Sequence, residues 1–76
     1  MTQYRNLRGS SNVVSYETTD DSIQVVFNSG MYRNYLYNSV RPGSVMVERM
    51  KFLAEQGFGL NSYISSSVKS RFARKW

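Results

Sequence analysis

The spacing of apolar residues changes once along this chain, and that change limits the possible fold more than any other feature. A period of two, typical of strands with one buried face, is kept in the first half by Ile23, Val25, Phe27, Tyr35 and Tyr37. Farther along, Met46, Met50 and Leu53 follow the i, i+4, i+7 spacing of a helix with one buried face. This order predicts strands first and helices afterwards.

The connections between the period-two segments are short and polar. Residues 19–22 form the first such turn and residues 28–30 the second, in which Gly30 can adopt the positive φ of a tight hairpin. Because short turns join antiparallel neighbours, we predict a three-stranded meander over residues 11–18, 23–27 and 31–38.

Two helices are expected after the strands. Pro42 and Ser44 are typical of a helix start, and Gly57 is a natural left-handed stop. A second helix is predicted to begin after Asn61, whose side chain can cap it, with buried positions at Ile64, Val68 and Phe72. The predicted fold class is therefore α+β, a three-stranded antiparallel meander packed against two C-terminal helices (βββαα).

The length of 76 residues allows one hydrophobic core. We predict a flexible N-terminal arm over residues 1–9, a single domain over residues 10–72 and a basic C-terminal tail over residues 73–76. A short edge segment is the alternative for the N-terminal residues. The longest apolar runs are far shorter than the roughly 20 residues that span a bilayer, and no signal-peptide block begins the chain. The expected location is the cytoplasm of a bacterium, or of a host cell if a phage encodes the chain.

The composition argues against catalysis. The chain has no cysteine and no histidine, so disulfides, thiolate chemistry, the usual zinc ligands and the usual general base are absent. General acid–base work would depend on Glu17, Asp20, Asp21, Glu48 and Glu55. Two adjacent carboxylates without further ligands make a weak cation site. We expect no enzyme, no catalytic residue, no metal and no cofactor.

The net charge of +5 is unevenly distributed. All acidic residues lie between positions 17 and 55, whereas Arg5 and Arg8 lie near the start and four basic residues lie among the last eight positions. Clustered positive charge favours a polyanionic partner. A solvated tail that only keeps the protein soluble is the alternative, and both interpretations stay open.

Aromatic and basic side chains give a candidate binding surface. Tyr32, Tyr35 and Tyr37 on one strand, with Arg33 between them, are typical of a site that stacks bases and binds phosphate. Packing of the tyrosines against the sheet is the alternative. If residues 69–76 were helical, residues 71, 74 and 75 would form a basic stripe ending at Trp76; a partner groove, an anionic membrane and a frayed end also stay open. The candidate nucleic-acid-binding residues are Arg33, Tyr35, Tyr37, Lys69, Arg71, Arg74, Lys75 and Trp76.

The spacing of several structural positions resembles that of the KTSC domain family. The match is carried by Phe27-x-x-Gly30, Tyr35-x-Tyr37-x-x-Val40 and Ala54-x-x-Gly57-x-x-x-Asn61-x-x-Ile64, and it covers about residues 10–70. Pro42 lies one residue later than the usual Val-Pro, and Gln56 replaces a usual serine. The resemblance implies an accessory domain, of the kind found at the carboxy end of some lysyl-tRNA synthetases and in small bacterial and phage proteins.

Two functions follow as expectations. The first is a non-catalytic accessory module that binds RNA, or another polyanion, through the basic and aromatic surface. The second is a small phage-type interaction or inhibitor protein that binds a host protein or a nucleotide. Self-association into a homo-oligomer stays open in both cases, and a membrane partner is not expected.

Overall fold

The sheet, rather than the helices, carries both ends of this chain. The computed structural model describes residues 1–7, 9 and 11–76; Arg8 and Ser10 lie outside the described residues, and with them part of the predicted basic N-terminus and the predicted boundary between arm and domain. The strands are β1 (Thr2–Gln3), β2 (Val13–Thr18), β3 (Ser22–Phe27), β4 (Asn34–Asn38) and β5 (Arg74–Lys75). The helices are α1 (Ser44–Gln56) and α2 (Leu60–Tyr63), which continues into a π-helical turn (Ile64–Val68).

The strands form one antiparallel sheet in the order β1-β2-β3-β4-β5. The α+β class and the central antiparallel meander are confirmed. The predicted count of three strands is wrong, because the described residues form five strands. The order βββαα is accordingly replaced by ββββααβ, since one strand precedes the meander and another follows the helices.

The N-terminal segment is a short edge strand, the alternative considered from the sequence, and does not form a loose arm. Thr2 and Gln3 pair with Tyr16 and Ser15 of β2. Tyr4 is only 3% exposed and belongs to the core. Its hydroxyl accepts a hydrogen bond of 3.4 Å from the N–H of Leu60, so the segment connects the sheet to α2.

The core lies between one face of the sheet and the helices. Period-two residues of the sheet meet the helical stripe there, so that Ile23, Val25, Tyr37, Val47, Met50 and Leu60 are all fully buried. Helix α1 ends as predicted at Gly57, which adopts φ 89° and donates its N–H to the carbonyl of Leu53. A Cβ at Gly57 would lie 3.0 Å from the Cβ of Arg5, so this position has neither the conformation nor the space for a side chain.

The second helix differs from its prediction at both ends. It begins at Leu60, so Asn61 lies inside its first turn and does not cap it. The helical chain stops at Val68, whereas the spacing of Ile64, Val68 and Phe72 predicted a longer helix. Phe72 lies beyond the helix and packs partly buried against the core. No helix of the described residues has the length and apolar content needed to cross a membrane.

The C-terminal tail is an edge strand rather than the basic helix considered from the sequence. The N–H of Ala73 donates to the carbonyl of Leu36 at 2.7 Å. Asn34 and Trp76 exchange two backbone hydrogen bonds of 3.0 Å each. The prediction of one helical stripe through residues 71, 74 and 75 is therefore wrong, because residues 74 and 75 of a strand point to opposite faces of the sheet.

Candidate nucleic-acid interface

The register between β4 and β5 assigns each tail residue to one face of the sheet. Lys75 is opposite Tyr35, and Arg74 is opposite Leu36. Directly opposite residues share a face. Lys75 therefore lies on the face that the helices cover, next to the aromatic residues, and Arg74 lies on the face that no helix of the described residues covers.

Lys75 brings the charge of the tail to an uncovered phenol ring. Its Nζ lies 4.9 Å from the ring centroid of Tyr32 and 5.3 Å from that of Phe72, both within cation–π distance. Tyr32 keeps 44% of its surface exposed. A basic group and an accessible aromatic face thus meet at the junction of β4, β5 and the loop before β4.

Two of the three tyrosines of the predicted platform, Tyr35 and Tyr37, are used mainly for packing. Tyr37 is 1% exposed, so its ring has no free face for a base, and its assignment as a stacking residue is corrected. Burial raises the pKa of the Tyr37 phenol well above its ordinary value, and repulsion from Tyr35 adds to the increase. Tyr35 is half-buried, with Phe27 and Phe72 against it in edge-to-face contacts of 5.2 and 5.1 Å between centroids.

A second basic–aromatic pair lies on the uncovered face. The guanidinium carbon of Arg74 lies 5.2 Å from the ring centroid of Trp76, and Trp76 is 44% exposed. The neighbouring positions on this face include Leu36, and Gln24, which donates a hydrogen bond of 3.1 Å to the Asn34 side chain. Lys75 and Arg74 therefore place positive charge on both sides of one sheet edge.

A pocket opens between the β3–β4 connection and the π-helical turn. Its volume is about 500 Å³. Aromatic side chains, amides, hydroxyls and one lysine line it, among them Phe27, Tyr32, Tyr35, Asn12, Asn61, Ser65 and Lys69. Tyr32 belongs both to this pocket and to the cation–π contact with Lys75, so the pocket and the basic edge are continuous.

Lys69 occupies a backbone conformation that is unusual for a lysine. Its φ is 53° and its ψ is −126°, and the N–H of Arg71 donates to the carbonyl of Val68 at 3.1 Å. These values describe the first central position of a type II′ turn, which glycine normally occupies. The fold therefore holds a charged side chain at the pocket in a position where glycine would be less strained.

The predicted basic residues keep their charges free of carboxylates. Arg33 and Arg71 are exposed. The two ion pairs among the described residues join the N-terminus to Glu17 and Lys51 to Glu48, so neither involves a predicted binding residue. In the same described part, no three acidic, histidine or cysteine side chains lie close enough together to hold a metal ion.

Sequence reasoning missed the amides of the pocket and gave Tyr32 no place among the binding residues. Tyr32 was part of the predicted tyrosine platform but not of the set of candidate binding residues. Its position next to the turn at residues 28–30 indicates a ring that lies outside the core. Asn12 and Asn61 lie far apart in the sequence, and only the folded chain brings both to one pocket. No pattern in the sequence indicated that pairing.

Comparison with protein-family models, with curated proteins and with solved structures finds no match for this chain. The resemblance to the KTSC family consequently stays a prediction. The functional argument depends on the geometry of the basic edge and the pocket.

Proposed function

We propose that this protein is a non-catalytic module that binds single-stranded RNA along the β5 edge. One observation carries the proposal: the C-terminal strand holds the Lys75 ammonium 4.9 Å from the exposed ring of Tyr32. Proteins that bind single strands combine positive grooves for phosphates with aromatic faces for bases. The resemblance to an accessory domain of synthetases favours RNA over DNA as the polyanion.

The distribution of charge suggests the path of the strand. Lys75 with Tyr32 and Arg74 with Trp76 form two basic–aromatic pairs on opposite faces. A strand that contacts both pairs passes across the β5 edge. Arg33 and Arg71, which are exposed and precede β4 and β5 in the chain, offer further charge. Because Tyr37 is buried and Tyr35 is packed between Phe27 and Phe72, the stacking rings along the edge itself are Tyr32 and Trp76.

Titration of a labelled single-stranded RNA at two salt concentrations tests the proposal. If three phosphates are neutralised, the slope of log K against log salt is about −2, so affinity falls about 15-fold between about 50 and about 200 mM salt. Binding that is undetectable at the lower salt concentration would refute it.

Paired variants assign the binding to the edge. Lys75→Gln combined with Arg74→Gln should reduce the salt slope by about 1.4, because two phosphate contacts are lost. Arg49→Gln is the matched control, since Arg49 lies on α1 over the ring of Phe52, outside the proposed site. Because the control removes one charge and the double variant removes two, a loss of binding free energy in the control that is half that of the double variant would mean that net charge alone, and not the edge, governs binding.

A protein-binding role is the second candidate, and the outer surface of α1 favours it. Val45 and Phe52 are 84% and 55% exposed, and the i, i+7 spacing places them along one side of the helix. Exposed apolar residues of this kind are typical of interaction surfaces when they lie together. Capture of partners from a nuclease-treated extract separates the two roles, because a protein partner persists after RNA is removed. Light scattering tests self-association directly.

A further inference from the structure

We infer that the pocket between the β3–β4 connection and the π-helical turn binds one nucleotide, with the base among its aromatic residues and the phosphate beside Lys69. The inference rests on the proposed function in that the pocket would hold one unit of the bound RNA. The same chemistry also fits a free mononucleotide, and the experiment below distinguishes the two sources.

The size and position of the pocket suit this ligand. Its volume of about 500 Å³ falls within the range of about 300–1,000 Å³ found for small-molecule sites. The loop residues Met31 and Tyr32 form one wall and are 90% and 44% exposed, so the pocket is accessible from the basic edge. One nucleotide of an RNA strand bound along the edge can therefore enter the pocket while the adjacent nucleotides stay at the edge.

The aromatic residues provide a surface for a planar base. Phe27 and Tyr35 both line the pocket, and the planes of their rings meet at an angle of 89°. Two aromatic rings at a right angle offer a face and an edge to a ligand that enters the corner between them. Tyr32 at the rim provides a further exposed ring, so an unstacked base has aromatic contacts on more than one side.

Polar groups with unused hydrogen-bonding capacity face the same space. The Asn12 side-chain oxygen accepts a hydrogen bond of 3.3 Å from Ser29, and no hydrogen bond within the described residues uses the Asn12 side-chain N–H groups. Among the described residues, the Asn61 side chain makes no hydrogen bond. An amide both donates and accepts, which matches the mixed pattern on the edge of a nucleobase.

The floor of the pocket carries a phenol whose hydroxyl has no protein partner in the described part of the chain. Tyr37 is 1% exposed, and none of the hydrogen bonds of the described residues uses its hydroxyl. Within the described residues, every side-chain nitrogen or oxygen that is fully covered has a hydrogen-bond partner. The Tyr37 hydroxyl has no such partner, so it must keep a small area of exposed surface. Tyr37 is also one of the residues that line the pocket. We therefore include its hydroxyl among the polar groups that a ligand of the pocket can use.

The strained turn at Lys69 is the second independent observation. Lys69 adopts a glycine-type conformation at a position that lines the pocket, next to a π-helical turn. Strained residues and π-helical turns are both concentrated at functional sites. A single ammonium beside an aromatic corner suits a ligand with one phosphate and one ring system better than a bare anion.

Titration of the isotopically labelled protein, followed by NMR spectroscopy of its amide signals, provides the test. The probes are the four ribonucleoside 5′-monophosphates, inorganic phosphate and a short single-stranded RNA. We expect the backbone amide signals of Ser65 and Lys69, and the side-chain amides of Asn12 and Asn61, to shift together and to saturate. Inorganic phosphate alone should not reproduce the shifts of the side-chain amides.

A matched pair of serine variants locates the binding. Ser65 and Ser66 are both exposed and lie on the same turn, but Ser65 lines the pocket, whereas the Ser66 hydroxyl donates to the Ser62 carbonyl at 2.8 Å. Ser65→Leu should fill the pocket and weaken the nucleotide or RNA about tenfold, which is the loss of one stacked base. Ser66→Leu should change affinity less than about twofold.

The outcomes distinguish the pocket from the edge. If mononucleotides shift the pocket signals, and if Ser65→Leu abolishes these shifts while Ser66→Leu keeps them, the pocket is a nucleotide site that accepts the free ligand. Shifts with RNA alone support a site for a nucleotide within a strand. Salt-dependent RNA binding with no pocket shifts, and with equal affinity in both variants, overturns the pocket and leaves the edge intact. Mononucleotide binding without RNA binding refutes the edge and retains the pocket, and no shifts with any probe refute both.

Discussion

Replacement of Lys69 by glycine should make the protein more stable and a weaker binder at the same time. The lysine has φ 53° and ψ −126°, and a non-glycine residue in so sparsely populated a conformation costs about 1–3 kcal/mol. Glycine relieves that strain but loses more backbone entropy on folding, about 0.5–1 kcal/mol. The net gain is about 1 kcal/mol in the free energy of unfolding. In a domain of this size it raises Tm by about 4–8 °C.

The binding half of this prediction follows from charge. Removing one phosphate contact to a single strand reduces the salt slope by about 0.7. Urea unfolding followed by circular dichroism measures the stability, and titration of labelled RNA at two salt concentrations measures the binding. Both measurements use the same purified protein.

Lys69→Ala separates strain from charge. Alanine has a Cβ, so it keeps the strain, and it lacks the ammonium, so it should bind as weakly as the glycine variant. We expect the glycine variant to be more stable than the alanine variant by about 1 kcal/mol. Equal stability of the two would refute the strain argument. Unchanged RNA affinity in both would remove Lys69 from the proposed site.

Three further predictions concern groups outside that turn. Because the pKa of Tyr37 is raised in the folded state, the unfolded chain loses the phenol proton at lower pH than the folded protein does. Above about pH 10 the free energy of unfolding of the wild type should therefore fall more steeply than that of Tyr37→Phe, by up to about 1.4 kcal/mol per pH unit. The same pH dependence of the free energy of unfolding in both proteins, measured with urea, would contradict this prediction. Deletion of residues 73–76 removes at least three backbone hydrogen bonds and should cost about 1.5–4.5 kcal/mol, with RNA affinity at least tenfold lower. Unchanged affinity would exclude the tail from binding. Tyr4→Phe leaves the N–H of Leu60 without its acceptor and should lower the free energy of unfolding by about 1 kcal/mol, measured by urea; no change would show that water replaces the hydroxyl.

The elements that the sequence predicted well are those with a long, consistent period. Strand β3 keeps Ile23, Val25 and Phe27 on the core face, and α1 buries Met50 and Leu53 as their spacing predicts. Its end at Gly57 follows from a residue whose backbone freedom is visible in the sequence. In these places local preference and tertiary packing agree, so the pattern alone is sufficient.

The edge strands could not be predicted in this way. Strands β1 and β5 each have two residues, which is too short for any period to appear. They exist because the free edges of β2 and β4 offer backbone hydrogen-bonding groups that the termini satisfy. That cause is tertiary, and it leaves no local signal in the residues that form the strands.

The end of the second helix was mispredicted for a related reason. Ile64, Val68 and Phe72 keep a helical spacing, and neither glycine nor proline interrupts residues 64–72. The chain nevertheless turns at Lys69, where Phe72 can reach Tyr35 and the tail can reach β4. A non-glycine residue at the turn position concealed the break.

A small domain has few large side chains, and these must both fill the core and form the proposed site. The core uses the rings of Tyr4, Tyr16 and Tyr37, because a chain of this size has little other bulk with which to fill the space between sheet and helices. The exposed rings of the sheet are at its margins, Tyr32 beside the loop and Trp76 at the chain end. Aromatic recognition by the sheet must therefore take place at its edge, or in the pocket beside that edge, rather than across its open face. This is where β5 also holds its lysine and arginine, so the requirement for a packed core and the requirement for a binding surface lead to the same arrangement.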